Sequence, residues 1–248
     1  MTGDRGLAGL PQEVQPLLRT YLKRMVPSLG AALESLVLYG STVRGEFVRG
    51  RSNVNLLLVM AALNGEVLRK LAKLHARWKR EQVVTLLFAP EELQRWATSF
   101  PLEFGELKEG HRLLAGRDLL PMIRLDGGVT PDLIRREAKA NLLRLRQRYV
   151  EGGATGEAAM ILLSLSMTGL VPCVRGWLRL KDLPVPAKTE QQIEEIGRRL
   201  TVDSKPLLEA WDLRCGRISP GPVEMPRLFD RYLTAVEELV RHFEAASV

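Results

Sequence analysis

The sequence predicts an α+β fold: strands and helices alternate over residues 1–125, and an all-helical bundle follows over 126–248. Three observations carry this. Short apolar, β-branched runs at 35–39 (SLVLY), 54–60 (VNLLLVM) and 82–88 (QVVTLLF) are separated by stretches whose apolar residues recur at helical spacing. Beyond residue 130 only the helical period remains. Between the two textures stand Asp126, Gly127, Gly128 and Pro131, the clearest break in the chain. A length of 248 residues is enough for two modest domains, each with its own core.

In chain order, a first helix is expected over 11–25, with Val14, Leu17, Leu18, Tyr21 and Leu22 on one face, broken by Pro27 and Gly30. A short helical piece at 31–34 precedes the first strand. The strands 35–39 and 54–60 are nearly continuous apolar runs, as strands covered on both faces require. A helix over 65–79 buries Val67, Leu68, Leu71, Leu74 and Trp78, and 82–88 forms the third strand. Pro90, Glu91 and Glu92 open another helix, with proline and carboxylates in its first turn. Residues 100–107 are expected to form a fourth strand, irregular because of Pro101 and Gly105. Thr130 caps a helix starting at Pro131 and reaching about residue 150. Further helices are expected over 155–170, 171–181, 190–200, 204–215 and 226–246, and the four tryptophans, Trp78, Trp96, Trp177 and Trp211, read as core residues.

Composition narrows the function classes. Apolar residues make up 46% and charged residues 26%, the balance of a soluble globular chain rather than a disordered one. The first fifteen residues lack the basic start and apolar run of a signal peptide or membrane anchor. The apolar stretch 158–170 is short for a bilayer span and reads as a buried helix, so no membrane partner is expected. Cys173 and Cys215 have no metal-ligand spacing and read as free thiols of a cytoplasmic protein; His75, His111 and His242 are scattered. A net charge of +7 favours encounters with phosphate-bearing partners, and nucleic acid stays open on that ground alone. The basic residues of 132–149 (Arg135, Arg136, Lys139, Arg144, Arg146, Arg148) spread over more than one helix face, which is the pattern of a solvated helix.

One segment carries chemistry. Leu38-Tyr39-Gly40-Ser41-Thr42-Val43-Arg44-Gly45 ends a strand in a glycine-serine turn, and Gly50-Arg51-Ser52-Asn53-Val54-Asn55-Leu56-Leu57 opens the next. Glycine at a strand end lets a phosphate approach the backbone, and the serine adds a hydroxyl donor. Strand alternation puts residues 53 and 55 on the same face.

This arrangement resembles the nucleotidyltransferase superfamily of DNA polymerase β, kanamycin nucleotidyltransferase and the small MNT proteins. Residues 102–118 and the helical second half also look like bacterial members of that group. The resemblance implies a nucleotidyltransferase-like domain over 1–125 with a mixed sheet and flanking helices. It also implies a helical bundle over 126–248 that completes a substrate pocket or serves a homodimer or protein partner. It makes Gly40, Ser41, Arg44 and Gly45 the nucleotide-binding residues, with ATP or another nucleotide as ligand. In the family a pair of aspartates holds two magnesium ions that clamp the triphosphate and activate the attacking hydroxyl. Here Asn53 and Asn55 stand at those positions, and neutral carbonyls replace the anionic oxygens that Mg²⁺ prefers. A third carboxylate is absent from 82–88, which leaves Glu103 as the candidate. The expectation is a degenerate, non-catalytic protein with weak nucleotide binding or a protein-interaction role and no metal cofactor. The alternative is an active enzyme that uses Mg²⁺ and a small-molecule or protein hydroxyl. The second half has no Arg-x4-6-His motif, so a nuclease of the HEPN type is not expected.

Overall fold

The computed structural model describes residues 5–50, 52–125 and 128–245; Arg51 of the motif and Asp126 and Gly127 of the break lie outside them. The chain divides into two compact units, Met1–Asp126 and Gly127–Val248.

In the first unit, helix α1 (Gln15–Leu29) buries Leu18, Tyr21, Leu22, Met25 and Leu29. It starts later than expected because residues 11–14 close a turn, with Val14 N–H donating to Pro11 O at 3.0 Å. It also runs past Pro27, which so near the end forfeits a single backbone bond. Four strands follow, β1 (Leu33–Tyr39), β2 (Val54–Met60), β3 (Val83–Phe88) and β4 (His111–Gly116), in the order β3-β2-β1-β4. Strand β1 lies antiparallel to both β2 and β4, whereas β2 and β3 run parallel. The parallel pair requires a crossover, supplied by α3 (Gly65–His75) and a 3₁₀ segment, Ala76–Glu81. Alternation along the central strands builds two cores. Leu36, Leu38, Leu56 and Leu58 pack with α1 and with Leu71 of α3. Val37, Leu57 and Val59 pack with Phe88, with Leu93 of α4 (Pro90–Ala97), and with Phe104 and Leu107 of α5 (Pro101–Glu109).

Two expectations are corrected here. Residues 100–107 are not a strand: Pro101 sits in the first turn of α5, where its missing N–H costs nothing, and the fourth strand comes later, at β4. Trp96 is not a core residue. It is 41% exposed on the outer side of α4, its ring edge-on to Phe88 with centroids 5.3 Å apart.

The second unit is helical: α6 (Pro131–Glu151), α7 (Gly156–Leu180), α8 (Thr189–Leu200), α9 (Lys205–Arg214) and α10 (Glu224–Ala245). Thr130 Oγ1 accepts from Leu133 N–H at 3.2 Å, capping α6. The two helices expected over 155–170 and 171–181 are one. Pro172 removes a backbone bond, but Met167 and Leu170 before it and Val174, Trp177 and Leu178 after it share one core and hold the axis continuous. The 25 residues of α7 are long and apolar enough to cross a membrane, yet half of its most apolar window is buried by the surrounding protein. It packs against α6, α8, α9 and α10, as the central helix of a bundle does.

A polar network crosses that core. Ser166 Oγ–H donates to Asn141 Oδ1 at 2.6 Å, Asn141 Nδ2 donates to Ser166 O at 2.8 Å, and the Tyr232 hydroxyl donates to Ser166 Oγ at 2.8 Å. Ser166→Ala strands both the amide oxygen and the phenol. It is expected to cost about 2–4 kcal/mol of stability in a urea titration.

Candidate functional site

At the end of β1 the backbone at Gly40 takes φ 82° and ψ −150°, a conformation that side-chain-bearing residues avoid. It turns the chain into a single helical turn, α2 (Ser41–Arg44), closed by Gly45 at φ 73°. Gly40 O accepts from Val43 and Arg44 N–H at 3.1 and 3.2 Å, and Ser41 O accepts from Glu46 N–H at 2.8 Å. Ser41 and Thr42 are buried in this turn. The chain returns through a loop that Ser52 closes, its Oγ accepting from Val48 N–H at 3.0 Å.

Strand register fixes what surrounds the turn. Tyr39 pairs with Asn55 on one side and His111 on the other, and Asn55 pairs with Val84 of β3. Asn53 precedes the first residue of β2 and is exposed. Alternation puts Asn53 and Asn55 on the same face as Leu57. Asn55 reaches the turn itself: a Cβ built on Gly40 would lie 2.9 Å from Asn55 Nδ2. Asn55 is therefore a neighbour of the Gly-Ser turn, and Asn53 lies on the same face two residues earlier.

The residues at the positions where the family carries carboxylates do not suit a divalent cation. Position 53 offers an exposed amide, position 55 an amide packed onto Gly40, and the β3 position beside it is Val84. Mg²⁺ favours anionic oxygen ligands in near-octahedral geometry, which amides and a valine do not provide. Glu103 is exposed on α5, a helix, so it is not a third ligand projecting from a strand. Among the described residues no group of three or more His, Cys, Asp or Glu side chains is placed to hold a metal ion.

Arg44 is anchored by carboxylates. Its Nε lies 3.3 Å from Glu46 Oε2 and its Nη1 3.3 Å from Glu106 Oε2 on α5. A phosphate at Arg44 would compete with both. Glu106 carries no signal in the sequence once 100–107 is read as a strand; a helical period would have placed it one turn from Glu103. His111 lies next to Tyr39 in the pairing row, with Nδ1 3.0 Å from Lys108 O and Nε2 3.0 Å from Asp118 Oδ2. Both ring nitrogens thus face oxygen atoms. Burial pushes the Tyr39 phenol up to about 12, so it stays neutral across the physiological range. A double-mutant cycle on Arg44→Ala and Glu106→Gln is expected to give a coupling of about 0.5–1 kcal/mol, the size for a partly exposed pair.

Four of the basic residues of α6 are ion-paired. Arg135 pairs with Asp132, Arg136 with Glu137, Lys139 with Glu244 and Arg146 with Glu237.

No protein-family model matches the sequence, and no curated protein matches it. Among solved structures, the chain is similar to a spectinomycin adenyltransferase from Enterococcus faecialis, determined with ATP and spectinomycin. The TM-score is 0.56 at 11% identity, over 87% of this chain and 96% of that one. The similarity extends through both units, and the chain has the nucleotidyltransferase fold: a mixed four-stranded sheet with flanking helices, followed by C-terminal helices.

Proposed function

We propose that this chain is a non-catalytic protein of nucleotidyltransferase fold, which has kept the glycine-serine turn and lost the metal-dependent transfer chemistry. The observation that carries the reading is what stands at the carboxylate positions beside that turn: the amides Asn53 and Asn55, with the apolar Val84 next to them. Two-metal transfer relies on anionic ligands that fix both ions against the triphosphate, and a pair of amides contributes no charge to that task. What remains is a backbone turn with a buried serine, suited to weak, metal-independent contact with the phosphates of a nucleotide such as ATP. Cys173 and Cys215, which are not joined in a disulfide, fit a cytoplasmic setting.

The test follows pyrophosphate release from ATP with Mg²⁺ and a panel of hydroxyl-bearing acceptors. Native protein and Ser41→Ala are expected to give the same background. Mg²⁺-dependent release by the native chain that vanishes in Ser41→Ala would overturn the reading.

A further inference from the structure

The two edges of the sheet are treated differently. Along β4 the N-terminal segment lies close: a Cβ on Gly6 would sit 2.9 Å from Leu113 O, and Arg112 Nη1 donates to Ala8 O. The opposite edge is β3, and its sequence, VVTLLF, has neither the proline nor the charge with which exposed edges are normally blunted. The pairing with β2 shows which groups face outward. Val54 N–H donates to Gln82 O at 3.0 Å, so 82, 84 and 86 bond inward, and 83, 85 and 87 present their N–H and C=O to the edge. His75 Nε2 donates to Val83 O at 3.1 Å, which takes up part of one of these three. Both faces of this edge are apolar. Val84 and Leu86 are 42% and 39% exposed on one face, in a row that continues through Phe88 to Trp96. On the other face, Leu68, Leu71, Thr85 and Leu87 line a shallow groove of about 160 Å³.

We infer that β3 is the docking edge for a second copy of this chain, paired antiparallel about a two-fold axis at Thr85. The strand is complementary to itself in that register. Thr85 meets Thr85 of the second copy, outward-bonding Val83 meets Leu87, and the exposed Val84 meets Leu86. Charge agrees with the direction. In this register the exposed Arg80, in the segment before β3, falls opposite Pro90 of the other copy and one position from its exposed Glu91, twice per dimer. A parallel arrangement would instead set Arg80 against Arg80. The result is one eight-stranded sheet with the Val84–Leu86 rows of both copies joined. This surface borders the glycine-serine turn through Val84, which pairs with Asn55, but the inference does not depend on nucleotide binding.

Sedimentation velocity of the full chain tests it. The native chain is expected to dimerise, and Leu86→Lys to weaken the dimer at least about tenfold with an unchanged circular dichroism spectrum, since one buried lysine per copy exceeds the roughly 1.4 kcal/mol that a factor of ten represents. Arg80→Glu and Glu91→Arg, both at exposed positions, are each expected to weaken it, and the double reversal to restore it. A chain monomeric at every concentration, a dimer indifferent to Leu86→Lys, or a double reversal that restores nothing would each overturn the proposal.

Discussion

Aspartate at both 53 and 55 is expected to give the protein a Mg²⁺-dependent response to ATP that the native chain lacks. The two positions share one strand face beside Gly40-Ser41, so the substitution puts two anionic groups next to the turn without altering the backbone. Together with phosphate oxygens they supply the hard, charged ligand set that Mg²⁺ favours. Without a cation the new carboxylates repel one another, so in chelator Asn53→Asp/Asn55→Asp should melt below the native chain. With ATP and Mg²⁺ at about a hundredfold over the dissociation constant, binding contributes about 2.7 kcal/mol, a rise of roughly 5–10 °C in Tm. The native chain should show the same Tm with Mg²⁺ and with chelator. A double variant equally blind to Mg²⁺ would mean that the surrounding cleft, and not the two side chains alone, has changed.

Gly40→Ala should be among the most damaging small substitutions in the first unit. The backbone at φ 82° and ψ −150° suits glycine alone, and the added methyl would press to 2.9 Å from Asn55 Nδ2. Strain of this kind costs about 1–3 kcal/mol before any displacement of Asn55 is counted. The variant should therefore lose that much in urea denaturation and also lose whatever nucleotide contact the turn makes. Ser41→Ala, which leaves the backbone alone, is the control that separates the two effects. A cost below about 0.5 kcal/mol for Gly40→Ala would indicate a turn that relaxes freely.

The parts of the fold set by short-range pattern were legible in the sequence. The stretches 35–39 and 54–60 are nearly continuous apolar runs because both faces of β1 and β2 are covered. The face shared by Asn53 and Asn55 follows from strand alternation, and the turn at Gly40-Ser41 from glycine at a strand end. Residues 100–107 misled because a short stretch with Phe, Gly and Pro has no decisive period, and proline is as much at home in the first turn of a helix as at a strand edge. The cost of that error was local but real. It hid Glu106, which joins Arg44 only through a long-range contact that no spacing announces. Pro172 misled in the opposite sense, because the core on both sides of it outweighs one lost backbone bond. Trp96 is exposed for a reason outside local pattern: it crowns the end of an uncovered sheet edge.

Calorimetric titration of the native chain with ATP tests most directly whether metal chemistry has been lost beside the glycine-serine turn, because no acceptor substrate has to be known. Run once with Mg²⁺ and once with chelator, the two titrations should coincide, with weak binding or none in both. Tight binding that appears only with Mg²⁺ would contradict the account, since it would require a ligand set other than Asn53, Asn55 and Val84.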